Sequence, residues 1–205
     1  MKPGGALTRP WLKWSRRLVL LALLVFLALL AFAGWLRWTG NLHPLIGQRY
    51  YRSAQLDAAG WENAYKTYHI RSVLNLRGAN AGQPWYDEEV RLAQQNHVVH
   101  YDFRMSAGQR LSPDQIDRVV ALLKQAPKPV LIHCQAGADR TGLISAILRL
   151  KQGDSPEQAR QQLSLRYGHF PYLGSSTIAM NQSFDAYLQA RGAVAVAQPQ
   201  PAGLQ

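Results

Sequence analysis

The chain has 205 residues, of which 47% are hydrophobic and 17% charged, enough for one domain with a buried core plus a short additional segment. This composition excludes a wholly disordered chain. The single cysteine excludes an internal disulfide bond and any zinc or iron–sulfur site built from several cysteines. The formal net charge is +11, and six basic and no acidic residues lie in the first 40 positions. The charge is therefore concentrated at the N-terminus and does not indicate a nucleic-acid partner.

Residues 18–36 read LVLLALLVFLALLAFAGWL and carry no charge, which predicts a transmembrane helix. Five basic residues precede this segment, and only Arg37 follows it closely. Because basic residues favour the cytoplasmic side of a membrane, residues 1–17 are predicted to stay in the cytoplasm while the rest of the chain crosses.

A cleaved signal peptide is the alternative interpretation of this segment. Ala31 and Ala33 flank Phe32, and this small-x-small pattern is what signal peptidase accepts. The apolar run continues past Ala33, which favours an uncleaved anchor. Both interpretations place the following domain outside the cytoplasm.

Strand and helix patterns alternate in the rest of the chain. A linker at 37–47 is predicted to precede a domain over residues 48–191, and the alanine-, proline- and glutamine-rich tail at 192–205 is predicted to be disordered. Strands are predicted at residues 48–53, 71–76, 98–103 and 130–132. Helices are predicted to begin near Asp57, Asp87, Ser112, Arg140, Ser155 and Ala179. This alternation predicts an α/β fold, with a mostly parallel central sheet flanked by helices.

The segment with the most informative chemistry reads HCQAGADRTG over residues 133–142. It joins a buried strand to a long helix, so its backbone N–H groups should converge at the positive end of the helix dipole and bind an anion. Cys134 at the rim of such a site would have its thiolate stabilised by these amides and by Arg140. A buried structural cysteine is the ordinary alternative. It does not explain why five further positions of this segment carry the residue types that such an anion site needs.

This segment resembles HCxxGxxRTG, the signature of cysteine-dependent phosphatases, and is most similar to the dual-specificity branch of the protein tyrosine phosphatase superfamily. The resemblance implies that Cys134 is the nucleophile, Arg140 clamps the phosphate, and Thr141 donates a hydrogen bond to the sulfur. It implies that His133 holds the loop. It also implies that the amide cradle consists of Gln135, Ala136, Gly137, Ala138 and Asp139. It implies no cofactor and no metal.

The resemblance extends to YRSAQ at 51–55 and VLNLR at 73–77, which are similar to compact bacterial members located in the cell envelope. We therefore expect a bacterial inner-membrane protein with its catalytic domain on the periplasmic side, or a secreted periplasmic form if the chain is cut near Ala33. Arg77 ends a strand near the signature loop. It would either add positive potential at the mouth of the site or be an ordinary solvated arginine.

One departure from the family concerns the general acid, an aspartate that usually lies a few tens of residues before the cysteine. The corresponding loop, residues 105–113, contains no carboxylate. Asp102 is the nearest candidate. Asp114 is interpreted as a helix-dipole partner, and Asp139 as a residue that recruits substrate or orients water.

The resemblance favours a phosphomonoester hydrolase acting on phosphorylated proteins, with phosphotyrosine as the first expectation. Two alternatives stay open: a phosphatase of inositol phosphates or phospholipid headgroups, and a catalytically silent module that only binds phosphate. The remaining histidines, at 43, 69, 97, 100 and 169, show no metal-ligand spacing. We interpret them as surface or packing residues without carboxylate partners.

Overall fold

The computed structural model describes residues 10–197, with side chains over 14–192. The chain divides into two compact units between Trp38 and Thr39. The first contains one helix, α1 (Pro10–Trp38), which includes the predicted span 18–36. Its apolar part, Trp14–Trp38, is long enough to cross a membrane or to serve as a signal sequence. Of the predicted cytoplasmic segment 1–17, residues 1–9 lie outside the described residues.

The second unit is built on a five-stranded sheet, of which the sequence predicts four strands. Its strands are β1 (His43–Ile46), β2 (Tyr50–Ser53), β3 (Ser72–Asn75), β4 (Val99–Asp102) and β5 (Val130–His133). Their spatial order is β1-β2-β5-β3-β4, and all neighbouring pairs are parallel except β1 with β2. The strand β5 therefore lies at the centre of the sheet, where its continuous apolar sequence is fully buried.

Helices cover the sheet. They are α2 (Ala58–Tyr68), α3 (Pro84–Gln95), α4 (Pro113–Gln125), α5 (Arg140–Lys151), α6 (Pro156–Arg160) and α7 (Ile178–Ala197), with a 3-10 turn at Leu165–Tyr167. The predicted capping boxes at Ser112 and Ser155 are both formed. One apolar cluster contains the inner face of α4 and much of α5, and a second contains the inner face of α2.

Three predicted boundaries are wrong. The helix predicted to begin near Asp87 begins three residues earlier, because Pro84 occupies its first position. The predicted linker at 37–47 contains β1, which pairs antiparallel with β2 because Leu45 contributes to the core although Pro44 suggests a loop. The tail predicted to be disordered from residue 192 continues α7 as far as Ala197, consistent with the high helix propensity of alanine. Residues 198–205 lie outside the described residues.

Candidate active site

The signature segment lies at the carboxyl edge of the sheet. His133 ends β5, residues 134–139 form a loop, and α5 begins at Arg140. In the sheet register, His133 lies between Ser53 of β2 and Asn75 of β3. This is the edge at which the loops of parallel sheets form binding crevices.

Three partners outside the loop hold its carbonyl groups. The carbonyl of Gln135 accepts a hydrogen bond from the N–H of Gln55 at 3.1 Å. The carbonyl of Ala136 accepts one from Asn41 Nδ2 at 3.0 Å. The carbonyl of Gly137 accepts one from an Arg52 Nη at 2.7 Å.

These bonds determine where the loop amides point. In a trans peptide the N–H lies opposite the carbonyl, so the N–H groups that follow the held carbonyls are directed to the other side, away from these partners. Within the described residues, no N–H of residues 135–139 donates to a protein acceptor. The loop therefore presents unpaired backbone donors, as an oxyanion requires.

Gly137 allows this loop to pack against β2. Its φ is +70°, a conformation that L side chains rarely adopt. A Cβ at this position would lie 2.6 Å from the nitrogen of Ala54 and 2.7 Å from the carbonyl carbon and oxygen of Ser53. Glycine is therefore required here both for its φ and for the close backbone approach.

Arg52 supports the loop at 134–139, a role that the sequence analysis did not predict. Its side chain is fully buried, lies 3.7 Å from the ring centre of Tyr167, and donates to the carbonyl and side-chain oxygens of Gln162 as well as to Gly137. Burial lowers the pKa of Arg52 to about 10, although the nearby Tyr167 and Cys134 oppose this shift. The guanidinium has no carboxylate partner among the described residues, so it adds positive charge beneath the cysteine.

A second buried group, Glu89 of α3, holds the other side of the loop stem. Glu89 Oε1 lies 3.0 Å from His133 Nε2 and 2.7 Å from His100 Nε2, and Gln55 Nε2 donates to the same carboxylate. Burial alone would raise the pKa of Glu89, but the charge of His133 and the three hydrogen bonds lower it to about 2. Glu89 is therefore a carboxylate that orients His133. The interpretation of His100 as a residue without a carboxylate partner is wrong.

Three of the residues predicted to perform the chemistry, Cys134, Arg140 and Thr141, lie in the signature loop and the first turn of α5. Cys134 is a free cysteine, 1% exposed. Arg140 Nη1 donates to the carbonyl of Met105 at 3.3 Å, while its Nε has no partner. The buried Oγ1 of Thr141 also has no partner, so the predicted hydrogen bond from Thr141 to the sulfur is not formed. Its direction depends on a hydroxyl rotamer, which residue spacing does not determine.

Asp139, the last residue of the loop, pairs with a buried histidine. Its Oδ1 lies 2.7 Å from Nδ1 of His169, whose Nε2 lies 2.7 Å from Asn181 Oδ1. His169 is fully buried. The interpretation of His169 as lacking a carboxylate partner is therefore wrong as well.

The proposed general acid lies at the end of β4. Asp102 Oδ1 accepts a hydrogen bond from Asn75 Nδ2 at 2.8 Å, and Oδ2 accepts one from the Tyr86 hydroxyl at 2.5 Å. Asp102 pairs with Asn75, which pairs with His133, so its backbone is two strands, about 10 Å, from the end of β5. Asp114 lies in the first turn of α4, as predicted.

The sequence matches the tyrosine phosphatase family over residues 43–165. This region contains the whole sheet, the signature loop and α5. The match therefore covers more than half of the chain, including every residue to which the signature assigns a role.

Solved structures with the same fold include two groups of phosphatases. The core catalytic domain of the PP-IP phosphatase SIW14 from S. cerevisiae, in complex with citrate, is 18% identical with a TM-score of 0.58, covering 78% of this chain and 94% of that chain. TpbA from P. aeruginosa is 22% identical with a TM-score of 0.57, covering 74% and 91%. A TpbA variant in complex with pTyr gives 20% identity, a TM-score of 0.59, and coverage of 75% and 91%.

Proposed function

The chain belongs to the tyrosine phosphatase family, and we propose that it removes the phosphoryl group from phosphotyrosine side chains of proteins, with phosphoserine and phosphothreonine as poorer substrates. As a member of this family it is a cysteine-dependent phosphatase. The observation that carries the proposal is the loop at 134–139, whose carbonyls are held from outside while its amides stay free beside Cys134.

In the proposed reaction, the Cys134 thiolate attacks phosphorus, and the bond to the leaving oxygen breaks. The loop amides and Arg140 hold the three equatorial oxygens, on which negative charge is spread. Asp102 donates a proton to the leaving oxygen. Water then attacks the phosphocysteine and gives its proton to Asp102, which releases inorganic phosphate and restores the thiolate.

A phosphotyrosine substrate suits a site in which the general acid is poorly positioned to protonate the leaving oxygen. A phenolate is a far better leaving group than an alkoxide, so it needs less protonation in the transition state. The loop at 105–113 contains no carboxylate, and both oxygens of Asp102 already accept hydrogen bonds. These features favour an aryl phosphate over the alkyl phosphates of serine and threonine.

Inositol phosphates and phospholipid headgroups are the second candidate substrates. The apolar helix at Trp14–Trp38 would bring the domain close to lipid headgroups if it spans a membrane. The neighbour SIW14 is named for a PP-IP substrate and TpbA is bound to pTyr, so the same fold accommodates both classes in other proteins.

For location, we propose a bacterial inner-membrane protein with its catalytic domain on the periplasmic side. The support is the excess of basic residues before the apolar segment. Protease added to intact spheroplasts should remove the domain from the full chain, and a domain protected until the membrane is dissolved would contradict this orientation.

Release of inorganic phosphate by the full chain in detergent tests the proposed function. We expect turnover of a phosphotyrosine peptide that exceeds turnover of the matching phosphoserine peptide and of inositol hexakisphosphate. Cys134→Ser should abolish this turnover, because it removes the nucleophile. A matched control, Arg91→Gln on the exposed face of α3, should leave the rate unchanged. Faster turnover of the inositol phosphate would overturn the tyrosine assignment, and turnover that survives in Cys134→Ser would overturn the mechanism.

A further inference from the structure

Arg77 lies beside the loop at 134–139, called the phosphate loop from here on, but has no part in the reaction described above. It comes two residues after β3, and the N–H of the intervening Leu76 donates to the carbonyl of His133 at 2.9 Å. An Nη of Arg77 donates to Gln55 Oε1 at 3.3 Å, and the backbone N–H of Gln55 donates to the loop carbonyl of Gln135 at 3.1 Å. A single residue therefore links the guanidinium of Arg77 to the phosphate loop.

An aromatic ring fixes the plane of this guanidinium. Its central carbon lies 3.4 Å from the ring centre of Trp85, the second residue of α3, a distance typical of a strong cation–π contact. Arg77 is half-buried, while Trp85 is also partly exposed. The planar fork is therefore oriented before any substrate arrives, which lowers the entropy cost of forming two parallel hydrogen bonds.

The charge of Arg77 is not neutralised within the described residues. No carboxylate there lies within 4.0 Å of Arg77 or of Arg140. The nearby Glu89 is already occupied by His133 and His100. Burial lowers the pKa of Arg77, and the positive charge of Arg140 lowers it further. Since Arg140 holds the scissile phosphate, Arg77 is available for a second anion.

The residues that follow His169 indicate what kind of molecule carries that anion. His169, bonded to Asp139 of the loop, is followed by three exposed hydrophobic residues, Phe170, Tyr172 and Leu173, the last 94% exposed. Exposed aromatic and aliphatic side chains beside a polar pocket are typical of surfaces that bind peptides. A sugar polyphosphate would be expected to meet further cations there instead.

We propose that Arg77, oriented by Trp85, is a specificity-determining residue that binds the carboxylate of an acidic side chain next to the phosphotyrosine of a peptide substrate. The inference rests on the proposed function, because it requires a peptide substrate. Two parallel N–H···O bonds from one guanidinium match a carboxylate, so glutamate or aspartate beside the phosphotyrosine should be preferred to their amides.

The test compares two phosphotyrosine peptides that differ only in one flanking residue, glutamate or glutamine. For the full chain, kcat/KM should be about tenfold higher for the glutamate peptide, as expected for a hydrogen bond to a charged group, with the difference in KM. Arg77→Gln should reduce this ratio to less than twofold while leaving kcat for both peptides nearly unchanged. Arg91→Gln removes the same charge from the exposed face of α3 and should keep the ratio.

A second variant, Arg77→Lys, distinguishes a loss of peptide recognition from misfolding of Arg77→Gln. Arg77→Lys keeps the charge but loses the planar fork, so the ratio should fall to about threefold while turnover of p-nitrophenyl phosphate is retained. If the unmodified chain shows no preference, or if the preference survives in Arg77→Gln, the inference fails and the tyrosine phosphatase function stands. If neither peptide is hydrolysed, the proposed function fails and the inference fails with it.

Discussion

The phosphate loop at 134–139 and the loop at 103–112, which reaches from β4 to α4, lie at the same edge of the sheet but are built differently. Three carbonyls of the phosphate loop are held by separate side chains or backbone groups, and its stem residue His133 is held by a buried carboxylate. The loop at 103–112 is held mainly from other elements: the N–H of Met105 donates to the carbonyl of Leu76 at 3.2 Å, and the N–H of Leu111 donates to Ser183 Oγ at 3.0 Å. It contains no carboxylate. The two loops therefore differ in the groups that they offer: the phosphate loop presents free backbone donors, whereas the loop at 103–112 offers no carboxylate that could protonate a leaving group.

The largest effect is expected from displacing the phosphate loop. Gly137→Ala would place a Cβ within 2.7 Å of the backbone of Ser53 and Ala54, and this backbone cannot easily move because it belongs to β2 and its end. The loop must shift instead, and a displacement of about 1 Å at a reaction centre costs about 10²-fold in rate. We expect a loss of about 10²-fold or more in kcat/KM for every substrate.

The matched control is Gly47→Ala. Gly47 also has a positive φ, +51°, but a Cβ there would meet nothing within 4 Å. This variant carries the backbone strain without the clash, so it should lower stability slightly and leave kcat/KM unchanged. Equal losses in the two variants would show that strain alone, rather than loop position, causes the defect.

The second prediction concerns Asp102, which ends β4 just before the loop at 103–112. Asp102→Asn should slow an alkyl phosphate by roughly 10²-fold, because the leaving alkoxide needs a proton. An aryl phosphate should be slowed much less. The measurement is kcat/KM for both substrates in both proteins. Asp114→Asn, in the first turn of α4, should affect neither, and equal small effects of Asp102→Asn on the two substrates would exclude Asp102 from the mechanism.

The sequence predicts the phosphate loop better than it predicts the groups that hold this loop. The phosphate loop was predictable because an apolar β-branched strand, a glycine, an arginine and a helix start are consecutive in the chain. The buried groups that hold this loop were not predictable, because they lie far from it in the sequence. Arg52 lies in a short strand and Glu89 in a helix, where charged residues usually face solvent. Only the pairing of β2 with β5 and the packing of α3 show that both are buried.

The histidines show the same limit. His169 has no acidic residue at a spacing that suggests pairing, and Asp102, on the same face of β4 as His100, lies 3.7 Å from it. The nearest carboxylates in the folded chain are Asp139 for His169 and Glu89 for His100, both distant in sequence. The strand β1 was missed for a related reason, since Pro44 indicates a loop unless the edge position of the strand is known. Local signals such as the capping boxes at Ser112 and Ser155, in contrast, were predicted correctly.

The last prediction tests whether the stem of the phosphate loop depends on Glu89. The pKa of Glu89 in the folded protein is about 2, below the value of about 4.3 for an unfolded glutamate. In this pH range the unfolded state binds more protons, so stability rises with pH. The contribution, about 3 kcal/mol, is complete above about pH 4.5 and is lost as the pH falls towards 2.

Glu89→Gln should therefore lower the free energy of unfolding at pH 7 and flatten its dependence on pH between about 4.5 and 2, as measured by urea unfolding at a series of pH values. Activity at pH 7 should fall by only a few fold, because Arg52 still holds Gly137 from the other side. Glu88→Gln is the matched control: Glu88 lies on the same helix but pairs with Arg91 at the surface. If Glu89→Gln keeps the acid dependence of the unmodified chain, another group destabilises the protein in acid, and the stem of the phosphate loop does not depend on this buried carboxylate.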